Sequence, residues 1–237
     1  ISIAEKAKAQ GELGYEQAMG EKDAGIPDYM VAVAGGKPAV AEMEAGTMGI
    51  QAIEVTHNGE TVTIERGHDK EATLPEEFLK TDRTCPPFCV QPMSAGEGVA
   101  TLGEVEMLDY LKRAAAGEPV LVVDSRTPDW VMRGTIPGSV NIPWDQIDPQ
   151  QQGMFGDGGQ GVAETLMTEQ FGVVQNEDGS LDFSNAKTLV LFCNGIWCGQ
   201  SSANIATLMG MGYPADKLKW YRGGMQDWVS VGLTTVK

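Results

Sequence analysis

The sequence predicts an α/β fold: a parallel sheet flanked by helices on both faces, with an N-terminal extension that contains a β-hairpin. Within residues 101–237, short runs rich in Val and Leu alternate with segments whose apolar residues recur at helical spacing. Continuous apolar runs are typical of parallel strands that are covered on both faces. Upstream, alternating apolar and polar residues flank Asn58-Gly59, which is a strong hairpin signal because both turn residues take positive φ. We therefore predict an extension over residues 1–100, with the hairpin at about 50–66, and an α/β domain over residues 101–237.

The order of strands and helices follows from the capping and turn residues along the chain. The first helix of the α/β domain is predicted to begin with Thr101 as its N-cap and Glu104 three residues later, and to end at Gly117. Pro128 suits the first turn of a short second helix. Further helices are predicted at VAETLMTEQFGV, SSANIATLMGMG and the end of KLKWYRGGMQDWVSVGL, and strands at PVLVVDSR, SVNIPW, KTLVLFC and the start of that last segment.

The first hundred residues carry further predictions. Residues 1–45 are rich in Ala, Gly, Glu and Lys and include a segment, SIAEKAKAQGELGYEQAM, that can form a helix. Prolines crowded within 75–92 predict a loop-like connector. In that connector Cys85 and Cys89 flank a stiff Pro-Pro-Phe segment, and this spacing allows a structural disulfide, a redox site or a metal clip. We favour the disulfide over a zinc site shared with the two histidines, and we expect no metal.

Charge and composition argue against several classes of function. The chain has 237 residues and a formal net charge of −16, and so acidic a surface repels the phosphates of nucleic acids. No run of about 18 apolar residues is present, so we expect no membrane-spanning segment. The chain begins at Ile1 without an initiator Met, and we interpret this as the removal of a leader. Together with a disulfide, it predicts a periplasmic or otherwise extracytoplasmic location.

The stretch LVLFCNGIWCGQSSANIATLMGMGY contains the strongest candidate for a functional site. Cys193 ends a strand, two loop glycines allow backbone N–H groups to turn inward, and the next helix directs its positive N-terminus at the same space. We expect these dipoles to lower the pKa of the Cys193 thiol well below the ~8.5 of a free thiol, which would make it a nucleophile. The residues alone leave open that Cys193 is simply a small buried side chain. The predicted cradle comprises Asn194, Gly195, Ile196, Trp197, Gly199, Gln200 and Ser201.

Three ordered motifs within residues 101–237 resemble the rhodanese family. They are VLVVDSRTPDWVMRGTIPGSVNIP, LVLFCNGIWCGQSSANIATLMGMGY and LKWYRGGMQDWVSVGL. The resemblance implies the rhodanese fold and sulfurtransferase chemistry, in which a catalytic Cys takes sulfane sulfur from a donor, holds it as a persulfide and passes it to a thiophile. Cys193 stands at the catalytic position. The implied partners are a small sulfur-containing donor and a thiol acceptor, with no cofactor, and the FCNGIWCGQS and CPPFC segments look like those of extracytoplasmic bacterial rhodanese-like proteins.

The chain departs from the family pattern in and near the loop. Thr135 replaces the usual His of the Gly-His-Ile-Pro-Gly motif, and Cys198 stands where the family carries a cationic or hydroxyl residue. No Lys or Arg lies between Cys193 and Lys217, so the loop offers a thiosulfate dianion only backbone dipoles, and we do not expect thiosulfate specificity. Gly199 stands where long-loop phosphatase relatives carry an Arg, which argues against phosphatase activity.

Several residues near the loop have more than one interpretation. Cys198 can be a resolving thiol that attacks an oxidised or persulfidated Cys193, a second sulfur carrier, or an inert residue. Asp124 and Arg126 follow a buried strand, and we favour an ion pair that fixes the strand exit over a direct action of Arg126 on the loop. Trp197 can wall a pocket or pack into the core.

Three functions are compatible with these residues. The first is a rhodanese-family sulfurtransferase with Cys193 as the persulfide carrier. The second is a thiol redox protein that uses Cys193 and Cys198. The third is a non-catalytic binding module, in which residues 1–100 contact a protein partner.

Overall fold

The computed structural model describes residues 52–67, 69–147 and 161–237. The helix predicted within residues 1–45, His68 and most of the Gly-rich segment before residue 161 lie outside the described residues. The longest described helix has 12 residues, and no helix in these ranges is long and apolar enough to cross a membrane. The strands are β1 (Ala52–His57), β2 (Glu60–Glu65), β3 (Ala100–Thr101), β4 (Val120–Asp124), β5 (Val140–Asn141), β6 (Val174–Gln175), β7 (Leu181–Asp182), β8 (Thr188–Phe192) and β9 (Leu218–Tyr221). The α-helices are α1 (Glu104–Ala115), α2 (Pro128–Val131), α3 (Trp144–Ile147), α4 (Gly161–Glu169), α5 (Gln200–Gly210) and α6 (Gly224–Ser230).

A five-stranded parallel sheet forms the centre of the fold, in the order β3-β9-β8-β4-β5. β8 is its middle strand, in register with β4 through Val123 and Leu191, and with β9 through Leu191 and Trp220. Helices cover both faces, as the two cores below show. The predicted α/β fold class is therefore confirmed.

Alternate side chains of β8 enter two separate hydrophobic cores. Val190 and Phe192 belong to a core shared with α1, α6 and the β1–β2 hairpin, whereas Leu189 and Leu191 belong to a core shared with α3, α4 and α5. All four side chains are fully buried. A strand covered on both faces needs apolar residues at every position, which explains the unbroken apolar run before Cys193.

The β1–β2 hairpin packs onto the α/β domain. Its strands are antiparallel, and Asn58 and Gly59 both take positive φ at the turn, as the sequence predicts. Ile53, Val55 and Ile64 are buried and join the core formed by α1 and α6. The apolar face of the hairpin is therefore covered within the same chain.

The predicted N-cap of α1 is wrong. Gly103, not Thr101, is the N-cap, and its N–H donates to the carboxylate of Glu106 at 3.0 Å. Thr101 belongs to the edge strand β3, where it pairs with β9. Glu104 forms an ion pair with Arg66 at the end of the hairpin instead of a capping box. A two-residue strand has no periodicity, so the sequence pattern could not show that pairing with β9 would claim Thr101.

Candidate active site

The carboxyl end of β8 places Cys193 at the rim of the sheet, and a short loop leads from it to α5. Ligands of open α/β sheets bind beyond this edge. The N–H of Cys198 donates to the carbonyl of Gly195 at 2.9 Å, which turns the chain back towards the sheet. Cys193 and Cys198 are both free and both buried.

The start of α6 fixes the loop from the opposite side. The N–H of Met225 donates to the carbonyl of Cys193, and that of Gln226 donates to the carbonyl of Asn194, each at 2.9 Å. Gly224 permits this approach, because it takes a φ of +56° and a Cβ there would lie 2.3 Å from the Cys193 carbonyl oxygen. The second glycine of the Gly-Gly sequence after β9 is thus required by the backbone of the loop.

The thiol of Cys193 is enclosed by protein groups and is only 2% exposed. It donates to the carbonyl of Cys198 at 3.2 Å, and the hydroxyl of Ser201 donates to its sulfur at 3.1 Å. The indole N–H of Trp220 in turn donates to that hydroxyl at 3.0 Å. Burial raises the pKa of the Cys193 thiol well above its usual value, because a thiolate there would lose its hydration. The expectation of a lowered pKa at Cys193 is therefore wrong.

The lowered pKa belongs to Cys198 instead. The neighbouring Cys193 side chain is the main cause, and N–H groups of Gln200 and Asn194 and the charge of Arg126 also act against the cost of burial. Together they lower the pKa of Cys198 to about 7. Gln200 is the first residue of α5, so the helix start contributes to the expected cradle. The path of the loop therefore places the sulfur of Cys198, rather than that of Cys193, near these N–H groups.

Asp124 and Arg126 form a buried ion pair behind the loop. Arg126 Nη2 lies 2.6 Å from Asp124 Oδ2, and Arg126 Nε lies 2.9 Å from Asp124 Oδ1. The hydroxyl of Thr135 donates to the same carboxylate at 2.6 Å, and Arg126 also donates to the carbonyl of Gly134 at 2.7 Å. The pair therefore ties the exit of β4 to the segment after α2, while the charge of Arg126 still reaches Cys198.

The proline-rich connector folds over the loop. Cys85 and Cys89 are joined by a disulfide. Beyond it, the N–H of Gln91 donates to the carbonyl of Ile196 at 2.8 Å, and the guanidinium of Arg222 donates to the carbonyl of Gln91 at 2.7 Å. The connector is thus fastened both to the loop and to the turn that follows β9.

A cavity of about 450 Å³ opens between the connector and the loop. Its upper wall is Trp197, whose indole N–H donates to the Gln226 amide at 2.8 Å and whose ring meets Phe88 edge to face, with centroids 5.9 Å apart. Cys198 lies in the wall of this cavity, whereas Cys193 does not line it. The lining is largely aromatic and carries no charged side chain: Pro87, Phe88, Trp130, Trp144, Asn194, Trp197, Cys198, Gly199, Gln200 and Ala203.

Residues 107–231 match the family described as the Rhodanese-like domain. The chain belongs to this family. No curated protein matches the chain.

Solved structures with a rhodanese-like arrangement are only distantly similar. A protein of unknown function from Rhodopseudomonas palustris, described as a possible tyrosine phosphatase, is 21% identical over 60% of this chain and 88% of its own, with a TM-score of 0.38. The human single-domain sulfurtransferase TSTD1 is 18% identical over 57% of this chain and 97% of its own, with a TM-score of 0.35. A Rhodanese_3-like domain from Anabaena is 14% identical over 50% of this chain and 99% of its own, with a TM-score of 0.33.

Of the predicted cradle residues, Asn194, Trp197, Gly199 and Gln200 line the cavity together with Cys198. Other residues that line it were not predicted from the sequence. Phe88, Trp130 and Trp144 line the cavity, and Arg83 lies over Trp197. The stiff aromatic CPPFC segment is the sequence signal for a folded cover, yet nothing in the local pattern says where it docks. Trp130 and Trp144 lie in short helices that are far from the loop in sequence and come close to it only in the folded chain.

No group of three or more His, Cys, Asp or Glu side chains in the described ranges is arranged to hold a metal ion. The disulfide occupies the thiols of Cys85 and Cys89. His57 accepts a hydrogen bond from the N–H of Gly138 through Nδ1 at 3.2 Å. The zinc site considered from the sequence therefore lacks its two cysteine ligands.

Replacing Gly224 with Ala tests the close contact between α6 and the loop. We expect Gly224→Ala to lower the free energy of unfolding by more than about 2 kcal/mol, because it combines an unfavourable positive φ with a collision against the Cys193 carbonyl. Alkylation of the folded protein should also become faster, because the displaced loop exposes the thiols. Chemical denaturation and alkylation rates measure both effects.

Gly210→Ala is the matched control. Gly210 ends α5, and a Cβ there would meet no atom within 4 Å. This change should leave alkylation unaltered and shift stability by no more than about 1 kcal/mol. Equal behaviour of the two variants would contradict the role given to Gly224.

Proposed function

We propose that this rhodanese-like protein is a sulfurtransferase that carries sulfane sulfur as a persulfide on Cys193 and passes it to a thiol or another thiophile. The observation that carries the proposal is the pair of free cysteines at the carboxyl end of β8, where the Cys193 thiol donates to the backbone carbonyl of Cys198. One is enclosed, and the other ionises readily and lines a cavity. Membership of the rhodanese-like family supports the same chemistry.

The loading step begins with a proton transfer from Cys193 to Cys198. The Cys198 thiolate takes the proton of the Cys193 thiol, and rotation of the Cys198 side chain opens Cys193 to the cavity. The Cys193 thiolate then attacks the outer sulfur of a donor R–S–SH. The S–S bond of the donor breaks, R–S⁻ leaves, and Cys193 holds the persulfide as –S–SH. The hydroxyl of Ser201, 3.1 Å from the Cys193 sulfur, helps to hold the loaded sulfur in place.

The unloading step reverses the first with a different thiol. An acceptor thiolate R′–S⁻ attacks the outer sulfur of the Cys193 persulfide. The S–S bond to Cys193 breaks, R′–S–SH leaves, and Cys193 returns to the thiolate. Neither step needs an external oxidant, because one sulfur atom passes between thiolates.

The cavity does not favour thiosulfate as the donor. Its lining carries no Lys or Arg, so a dianion in contact with Cys198 would meet mainly aromatic rings. An organic persulfide or polysulfide has an apolar body that such a lining can cover. We therefore propose an organic donor.

We also propose that the protein works in the periplasm or another extracytoplasmic compartment. The Cys85–Cys89 disulfide supports this, because such bonds persist mainly under oxidising conditions. Fractionation of the native host, followed by thiol labelling of Cys85 and Cys89, tests the location. A cytoplasmic protein with both of these thiols reduced would contradict it.

Mass spectrometry after incubation with an organic persulfide tests the sulfur carrier. The wild-type peptide that contains Cys193 should gain the mass of one sulfur atom, and a thiol acceptor should remove it. Cys193→Ser should abolish this gain, because Cys198 acts as a base and not as the carrier. Cys198→Ser should retain it at a reduced rate at neutral pH.

The variants also show which alternative replaces the proposal. If Cys193→Ser still takes up the sulfur, Cys198 is the carrier and the proposed assignment is wrong. If neither cysteine of the wild type takes up sulfur or reacts with a small alkylating agent, the domain is a binding module.

A thiol redox function is the second candidate, favoured by the presence of two free cysteines in one short loop. A thiol whose pKa lies near 7 is well suited to attack a disulfide. A disulfide R–S–S–R would oxidise the pair to a Cys193–Cys198 disulfide and leave as two R–SH. We expect this reaction to be slower than sulfur uptake, because the loop must move to align the two sulfurs. The redox function is excluded if Cys198→Ala leaves thiol reactivity and reduction behaviour unchanged.

A further inference from the structure

The guanidinium of Arg83 occupies an unusual position above the loop. Its central carbon lies 3.7 Å from the ring centroid of Trp197, so the cation stacks on the wall of the cavity. Its Nη2 atom is buried and has no hydrogen-bond partner. Buried charged donors normally have a hydrogen-bond partner. This nitrogen can therefore donate to an oxygen atom of a ligand.

A second cavity, of about 710 Å³, lies on the outer side of the same aromatic wall. It shares Phe88, Trp130 and Trp197 with the cavity at Cys198. Its charged lining consists of Lys80, Arg83 and Arg133 against Glu76 and Glu77. In a chain with a net charge of −16, this is a locally cationic patch. The two cavities therefore offer one apolar end, at Cys198, and one cationic end, at Arg83.

A second unpaired group lies at the sulfur end. Asn194 is buried, lines the inner cavity and has no hydrogen-bond partner for its Oδ1 atom. Its Nδ2 atom points towards the sulfur of Cys198. A ligand that fits both ends would therefore bring a hydrogen-bond donor, such as a persulfide S–H, to Asn194 and an anion to Arg83.

We propose that Arg83 is the substrate-binding cation of this protein and that it selects organic persulfides, and their thiols, that carry a carboxylate. The inference rests on the proposed sulfurtransferase function. The carboxylate accepts from the free Nη2 of Arg83, the carbon chain lies along the aromatic side chains that line both cavities, and the outer sulfur lies at Cys198. The active-site loop itself has no cation, and the connector supplies one from above.

Isothermal titration calorimetry of the full chain tests the binding part without sulfur transfer. The probes are methylthiopropionate, an inert thioether that carries a carboxylate, and its neutral methyl ester. Wild type should bind the acid more tightly than the ester. Arg83→Met should weaken binding of the acid roughly tenfold and leave the ester unchanged, because one charge-assisted hydrogen bond is lost. Lys112→Met, which removes one exposed charge from α1, should change neither affinity.

Three results would overturn the inference: equal binding of both probes or of neither by wild type, equal weakening of both in Arg83→Met, or the same loss of acid binding in Lys112→Met. Arg83→Lys keeps the charge but loses the planar stack on Trp197, and it should retain part of the preference. Unchanged thermal unfolding of each variant shows that the connector remains folded.

Sulfur uptake separates this inference from the proposed function. Arg83→Met should load Cys193 normally from the neutral persulfide of mercaptoethanol and roughly tenfold less efficiently from that of mercaptopropionate. Absence of uptake from every donor by wild type would overturn the sulfurtransferase function. Normal uptake with no preference between the two donors would overturn only the role of Arg83.

Discussion

The burial of Cys193 is the constraint on which the rest of the site depends. A thiolate enclosed in protein loses its hydration, so the first negative charge of the pair settles on Cys198. The neighbouring groups therefore act on two sulfurs with different pKa values instead of on one reactive sulfur. The N-terminal start of α5, the loop N–H groups and the charge of Arg126 stabilise the outer sulfur. Ser201 and the backbone contact with α6 hold the inner one.

This division assigns separate tasks to the two cysteines. In the proposed mechanism, Cys198, which lines the cavity, accepts the proton, and the buried Cys193 keeps water away from the persulfide that it would store. A persulfide exposed to solvent would exchange with any passing thiol. Enclosure costs reactivity at Cys193, and the ionised neighbour offsets that cost. The connector completes the enclosure by pressing Phe88 against Trp197.

Local sequence patterns predicted the sheet, the hairpin and the position of Cys193, because an unbroken apolar run and an Asn-Gly turn leave few alternatives. They did not predict the ionisation of the pair. The sequence directed the dipoles of the loop and the helix start at Cys193, but N–H groups of Gln200 and Asn194 act on Cys198, because the path of the loop decides which sulfur they reach. Thr101 was misassigned because β9 pairs with it. The position of Arg83 over Trp197 was missed, because the connector packs on the loop through residues that are far apart in sequence.

The order in which the two thiols ionise tests this account most directly. Thiolate absorbance in the ultraviolet, followed against pH in wild type and in the two single Ser variants, reports it. As pH rises through about 7, the wild type should form one thiolate, on Cys198. Cys198→Ser should form none until well above the usual pKa of a thiol, because burial by itself disfavours a thiolate on Cys193. Ionisation of Cys198→Ser near neutral pH would contradict the account, since burial would then not keep Cys193 protonated.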